Sequence, residues 1–291
     1  MISSGRSSDI ATVGVVGCGL MGSGIAQVCA SAGFPTVVCE LDEDALGEGM
    51  TRLEKTVRGA VDRGKLTEDD SERLLDSLTA TTSLADLASC DLIVEAVTET
   101  LEAKRSVFTE LDTVCGSETI FASNTSSLSI TEMAVATRRP ERFVGLHFFN
   151  PVPVMALVEV VRTLLTGEDV LTAAATFVER LGKTPVGVKD RTGFVVNRLL
   201  VPYLLEAIRA LEEDLASAQD IDRAMQLGCG YPMGPFTLLD YVGLDTTLYI
   251  AGIMYDEFRQ PQYVAPPLLK RMVLAGHLGR KSGRGFYRYD D

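Results

Sequence analysis

The chain lacks most of the features that would place it in several common classes. Only two histidines occur among its 291 residues. Six cysteines, at positions 18, 29, 39, 90, 115 and 229, never form C-x-x-C and have no histidine at zinc-ligand spacing, so no metal site can be read from them. Several fall in apolar runs, where a free cysteine behaves as a small hydrophobe. That usage suits a reducing, cytoplasmic compartment. Basic residues number 27 against 40 acidic ones, giving a net charge of −13. Such a surface repels phosphate backbones and anionic lipid, so neither nucleic acid nor a membrane is expected as a partner. No run approaches the ~18 apolar residues of a membrane helix. The opening MISSGRSSDIATVGVVG has no apolar signal-peptide core. Residues 1–10 are expected to be a disordered leader.

What is present is an ordinary globular composition, 46% hydrophobic and 23% charged, long enough for two domains. Strand-like runs alternate with helical spacing. Strands are expected at 12–16, 36–40, 91–97, 120–123, 142–148, 157–161 and 185–188. Helices are expected at 20–32, 101–114, near 130–137 and at 170–181. Between 43 and 78, apolar residues at helical spacing (Leu46, Met50, Leu53, Val57, Val61) break at Leu66 and Thr67. This predicts a helical hairpin, larger than an ordinary crossover. Alternation of this kind implies an α/β fold with a parallel, doubly wound sheet. The pattern changes near 188–190. Residues 194–211 are apolar nearly all round, which predicts a helix covered on several sides. The remainder reads as helical, with no convincing strand before the tail GFYRY. An all-α C-terminal domain over 190–291 therefore follows an α/β domain over 11–189.

The first strand runs into VVGCGLMGSGIAQ. Gly17, Gly19 and Gly22 form G-x-G-x-x-G between a strand and a helix that begins with Leu20 and Met21. The first glycine permits a tight turn, the second lets backbone approach a pyrophosphate, and the third allows close helix–strand packing. The next strand ends in Glu40, placed to accept hydrogen bonds from an adenosine ribose. No arginine or lysine stands near it in sequence to meet a 2′-phosphate, which favours NAD over NADP.

The stretch GLHFFNPVPVMALVEVV, residues 145–161, puts His147 and Glu159 into what otherwise reads as core. Oxidising a hydroxyl with nicotinamide removes a proton as well as a hydride. Histidine is the usual acceptor, because it titrates near working pH. A carboxylate on its other ring nitrogen fixes the tautomer and stabilises the imidazolium. His147 and Glu159 can meet if their two strands pair. A buried glutamate without a partner is costly, so Glu159 itself calls for a nearby donor. Two polar stretches accompany this pair. ASNTSSLSI (122–130) follows a strand, where α/β ligand sites lie, and offers Asn124, Ser126 and Ser127. DRTGFVVNRLL (190–200) puts Asn197 into the most apolar helix, where it needs a polar partner.

These stretches, with IVEAVTE, YPMGPFTLLDYVGLD and GRKSGRGFY, resemble the short-chain L-3-hydroxyacyl-CoA dehydrogenases, especially bacterial 3-hydroxybutyryl-CoA dehydrogenases. The resemblance spans nearly the whole chain. It implies NAD as cofactor, an acyl-CoA substrate and a homodimer formed through the helical domain. By position it makes His147 the catalytic base, Glu159 its partner, and Ser126 and Asn197 the groups holding the substrate's 3-oxygen and thioester region. It places Glu99 and Lys104 at cofactor-contacting positions, with Gly17, Leu20, Met21, Asn124 and Asn150 in the same neighbourhood. It places Thr56 and Arg63 against coenzyme A. Relatives often carry aspartate where this chain has Glu40. A same-fold dehydrogenase of a non-CoA hydroxy acid, gulonate-type, is one alternative. A non-catalytic NADH-binding relative is the other, and a degraded His–Glu pair or a basic DNA-binding segment would mark it.

Overall fold

The computed structural model describes residues 9–289. The chain divides into two compact units, the first ending at Arg191 and the second beginning at Thr192.

The first unit is built on one eight-stranded sheet. Its strands are β1 (Val13–Val16), β2 (Thr36–Cys39), β3 (Leu78–Thr81), β4 (Leu92–Glu95), β5 (Ile120–Ser123), β6 (Phe143–Phe148), β7 (Leu157–Arg162) and β8 (Thr184–Lys189), in the order β3-β2-β1-β4-β5-β6-β7-β8. The helices are α1 (Leu20–Ser31), α2 (Glu43–Asp62), α3 (Glu68–Asp76), α4 (Leu101–Val114), α5 (Ile130–Ala134) and α6 (Glu168–Arg180). Strands β1 to β6 are mutually parallel. β7 pairs antiparallel with β6, and β8 follows β7 in parallel. The expectation of a wholly parallel sheet is therefore corrected at its last two strands. Only residues 149–156 join β6 to β7, too few for the crossover that a parallel pair needs.

The central strands read as continuous apolar runs because both faces are covered. One side packs Val13, Val15, Val38, Leu92 and Val94 against Ile25, Leu53 and Phe177. Elsewhere Phe108 stacks edge-on against Phe143 with ring centres 4.5 Å apart, beside Phe121. Ile10 joins the core, and its carbonyl accepts from Arg180 Nη1 at 2.7 Å. The part of the expected leader at 1–8 lies outside the described residues, but residue 10 belongs to the packed chain.

The hairpin expected over 43–78 is present as α2 and α3, each with a side-chain cap: Asp42 accepts from Ala45 N, and Thr67 from Asp70 N. Its last residue instead begins β3, a strand the sequence pattern does not announce. LTAT is an edge strand with no buried residue, so it needs no apolar run.

The second unit contains α7 (Val196–Glu212), α8 (Ala218–Cys229), α9 (Pro235–Val242), α10 (Leu244–Phe258) and α11 (Pro267–Leu274). Val201, Leu204, Leu205 and Ile208 of α7 recur at helical spacing and pack on Phe236, Leu239, Ala251, Met254 and Leu269. Within the second unit this packing covers one face of α7 and leaves part of its apolar surface open. Leu199 is 70% exposed, and on α8 Leu227 is 76% exposed. The tail GFYRY forms isolated bridges, Gly279 with Arg284 and Arg284 with Arg288, rather than a strand. Asp240 holds it, accepting from Phe286 N, Tyr287 N and Tyr289 Oη at 2.9–3.0 Å. Asp222 accepts from Phe236 N, Thr237 N and Tyr287 Oη, tying the same tail to the start of α9.

Among the described residues no helix is long and apolar enough to cross a membrane.

Candidate active site

The sheet order reverses between β1 and β4, and Gly17, Gly19, Gly22, Glu40, Glu99, Asn124, Ser126 and His147 lie at or just past the carboxyl ends of β1, β2, β4, β5 and β6. That is where open α/β sheets bind ligands. Gly17 follows β1 with φ +93°, a conformation glycine tolerates, and an added Cβ would lie 2.7 Å from the Ala96 carbonyl. At Gly22 an added Cβ would overlap the Gly17 carbonyl at 1.7 Å. At Gly19 it would meet nothing within 4 Å. The loop is thus tight on its protein side and open at Gly19 and Leu20, both exposed at the start of α1, with Met21 half-buried behind them. An anion's oxygens fit against such a helix start. Glu40, just past β2, accepts from Cys18 N at 2.7 Å and from Leu41 N at 2.9 Å. Its carboxylate therefore sits on the loop residue between the first two glycines. These residues fit the diphosphate and ribose of a dinucleotide.

Glu99 and Lys104 form part of a buried charge cluster with Glu95, the last residue of β4. Lys104 Nζ lies 2.6 Å from Glu95 Oε1 and 3.2 Å from Glu99 Oε2. Ser123 Oγ donates to the other Glu95 oxygen at 2.6 Å. Lys104 is 1% exposed, so the structure places it behind Glu99 rather than at the surface of the site. Burial pushes the Glu95 carboxyl up, only partly offset by Lys104. Burial pushes Glu99 up too, but Lys104 and the hydrogen bonds from Thr125 and Ser126 outweigh it and hold that carboxyl below the usual range. Glu99 Oε1 accepts from Thr125 Oγ1 at 2.5 Å, from Ser126 N at 2.9 Å and from Ser126 Oγ at 3.3 Å. The loop bearing Ser126 is thereby fixed to the end of β4.

Asn124 Oδ1 accepts from Phe148 N at 2.9 Å, which ties this loop to the end of β6. His147 lies one residue earlier. Its register partner on β7 is Glu159, and Nδ1 stands 2.7 Å from Glu159 Oε2. Both side chains are buried, and the ring packs on Phe149 with centres 4.4 Å apart. The strand pairing expected from sequence thus brings the two groups into contact. Asn150 is exposed just beyond β6. Asn197 belongs to the second unit, in the first turn of α7.

Four residues of this region take structural roles that the sequence did not assign to them. Glu95 was hidden inside IVEAVTE, although a glutamate closing a strand of buried apolar residues is itself a signal. Lys183 donates to the carbonyls of Val152 and Met155 at 2.6 and 2.7 Å and pins the loop after His147. Asp190 accepts from Thr131 N at 2.7 Å and Thr131 Oγ1 at 2.6 Å, holding the start of α5 below the Ser126 loop. Arg52 reaches back from α2, and its Nη1 donates to the Cys18 carbonyl at 3.2 Å. The expectation that no base stands near Glu40 is corrected here, because helix packing supplies one that sequence proximity does not.

Residues 12–191 match the NAD binding domain of 3-hydroxyacyl-CoA dehydrogenase, and residues 193–289 match its C-terminal domain. The chain belongs to this family. It is an NAD-dependent 3-hydroxyacyl-CoA dehydrogenase, and the cofactor-fitting loop described above is that of its NAD-binding domain. A 3-hydroxybutyryl-CoA dehydrogenase of Mycobacterium tuberculosis is 51% identical over 97% of this chain and 100% of its own. The mitochondrial hydroxyacyl-coenzyme A dehydrogenase of Homo sapiens is 47% identical over 95% of this chain and 90% of its own. The solved structure of (S)-3-hydroxybutyryl-CoA dehydrogenase PaaH1 from Ralstonia eutropha is 44% identical, covers 97% of this chain and 100% of that one, and superposes with a TM-score of 0.93.

Proposed function

We propose that this dehydrogenase interconverts short-chain (S)-3-hydroxyacyl-CoA and 3-oxoacyl-CoA esters, with 3-hydroxybutyryl-CoA and acetoacetyl-CoA as the working pair. The observation that carries the mechanism is the His147–Glu159 contact at 2.7 Å. NAD, held by the glycine loop, would supply the hydride acceptor for C3. His147 Nε2 takes the hydroxyl proton as the C3–O bond becomes a carbonyl. Glu159 holds Nδ1–H, which fixes the tautomer and steadies the imidazolium. In reverse, the protonated ring returns its proton to the forming alkoxide. By their positions in the family pattern, Ser126 and Asn197 are assigned to the 3-oxygen and the thioester region. The long contact between Ser126 Oγ and Glu99 is one that a substrate oxygen can replace. Glu99 and, through it, Lys104 and Glu95 keep the Ser126 loop in place.

Gly17, Gly19, Gly22, Leu20 and Met21 would hold the pyrophosphate of NAD, and Glu40 its adenosine ribose. Asn124 and Asn150 would serve its nicotinamide end. Thr56 and Arg63, exposed along α2 and at its C-terminal end, are assigned to coenzyme A. A homodimer through the second unit is supported by the exposed Leu199 and Leu227, apolar side chains that a second copy would cover. A reducing, cytoplasmic setting is supported by five buried cysteine thiols.

The test is oxidation of NADH by acetoacetyl-CoA, followed at the reduced-nicotinamide absorbance band. Rapid loss of absorbance is expected. Turnover of a free hydroxy acid such as gulonate with none of the CoA ester would overturn the proposal.

A further inference from the structure

Glu40 and Arg52 come from different elements yet converge on one residue of the glycine loop. The Glu40 carboxylate accepts from the Cys18 amide at 2.7 Å, and the Arg52 guanidinium donates to the Cys18 carbonyl at 3.2 Å. The convergence is built in by packing. Gly49 faces the same loop, and a Cβ there would sit 2.4 Å from the Cys18 carbonyl, so α2 can approach only without a side chain at that position. Arg52, three residues on, is then held over the loop. Both charges also act on the Cys18 thiol. Burial first, then Glu40, pushes that thiol up to about 11 while Arg52 opposes them. A carboxylate at this place accepts hydrogen bonds from a ribose 2′-hydroxyl, and an arginine nearby is the group that meets a 2′-phosphate. This chain carries both.

We propose that Glu40 and Arg52 are a coupled pair of specificity determinants for the adenosine 2′ position. Glu40 receives the NAD ribose and repels a 2′-phosphate; Arg52 supplies the phosphate contact that becomes usable when the carboxylate charge is gone. The groove along α2 beside Arg52 is lined by Glu43, Asp44 and Glu48 as well as Lys55. The acidic majority there sets the unmodified chain toward NAD. Arg52 faces the glycine loop rather than the distal end of the hairpin, which assigns it to the dinucleotide and not to coenzyme A.

The inference rests on the dinucleotide fold and not on the roles given to His147 or Ser126. Its readout is therefore binding. NADH and NADPH are titrated into the full chain, following the fluorescence of the reduced nicotinamide, for the unmodified protein, Glu40→Gln, Glu40→Ala, Arg52→Ala and both double variants. Gln keeps an acceptor for the Cys18 amide, so a loop that collapses in Glu40→Ala leaves the test intact. Removing the Glu40 charge is expected to tighten NADPH roughly tenfold or more, the scale of one charged hydrogen bond. Adding Arg52→Ala is expected to abolish most of that gain while changing the NADH Kd by less than about threefold. Equal NADPH gains with and without Arg52 would overturn the proposal. So would an Arg52→Ala variant whose only defect is a raised KM for acetoacetyl-CoA, since that places Arg52 in the acyl-CoA site. Failure of the chain to turn over acetoacetyl-CoA would leave these dissociation constants unaffected.

Discussion

His147 and Glu159 stand directly opposite each other on the antiparallel ladder between β6 and β7, and their side chains meet at 2.7 Å between Nδ1 and Oε2. The pair is therefore set by strand register and not by a loop. A one-residue slip of β7 would turn Glu159 to the face of the sheet opposite His147. His147→Gln should lower kcat by roughly 10²–10⁴, the range of general acid–base catalysis. Its NADH Kd should be unchanged, because Gly17–Gly22 and Glu40 follow β1 and β2, not β6. Glu159→Gln should lower kcat as well, since an amide cannot stabilise the imidazolium. Near-normal turnover in both variants would make His147 a core residue and remove the mechanism.

The buried cluster at the end of β4 gives a second test, on stability. Lys104 neutralises Glu95 and Glu99 together. Lys104→Met strands two carboxylates and should cost roughly 3–5 kcal/mol, the scale of a broken buried pair. Adding Glu95→Gln removes one of the stranded charges and should restore part of the loss. Urea unfolding midpoints of the single and double variants measure this. Strict additivity of the two substitutions would show that Lys104 and Glu95 are not coupled.

Much of this arrangement was legible from residue order. G-x-G-x-x-G in its strand–helix setting, the β6–β7 pairing and the double helix over 43–78 all follow local rules of period, cap and turn. What escaped detection depends on tertiary contact. β3 is a half-exposed edge strand whose LTAT carries no apolar run. The reversal of β7 and β8 is implied only by the length of 149–156. Arg52 lies twelve residues from Glu40, so nothing local couples it to that carboxylate until α2 folds back. YPMGPFTLLDYVGLD and GRKSGRGFY attract notice as motifs, yet Asp222 and Asp240 use them to fasten the C-terminal tail.

Asp112 provides a pH test away from the site. It accepts from Arg138 Nε at 2.8 Å and Arg139 Nε at 2.6 Å. Burial pushes its carboxyl up, but the hydrogen bonds from Arg138 and Arg139 prevail and hold it below its ordinary value. A depressed carboxylate stabilises the fold above its unfolded pKa, and that contribution is lost as pH falls through the folded value. Asp112→Asn should therefore cost roughly 2 kcal/mol at neutral pH. The gap to the unmodified chain should be equal at pH values well above about 4 and shrink below it. A gap that widens on acidification would reverse the assigned sign.

The hairpin of α2 and α3 is longer than a crossover from β2 to β3 requires, and its added length has a use to be tested. Arg52, Thr56 and Arg63 fall on one stripe of α2, at spacings of four and seven residues. Arg52 begins that stripe over the glycine loop, and Arg63 ends it at the helix C-terminus, where it is exposed. Coenzyme A is long and ends in a phosphorylated adenosine, so the far end of the stripe is suited to its phosphates. Arg63→Ala should raise the KM for acetoacetyl-CoA several-fold, as expected for loss of one exposed charged contact. The KM for a truncated acetoacetyl thioester without the nucleotide should not move, nor should that for NADH. Thr56→Ala should act in the same direction and more weakly, because the Thr56 hydroxyl already donates to the Arg52 carbonyl at 2.9 Å. If Arg63→Ala affects the full and the truncated thioester equally, the hairpin supports the fold and does not hold coenzyme A.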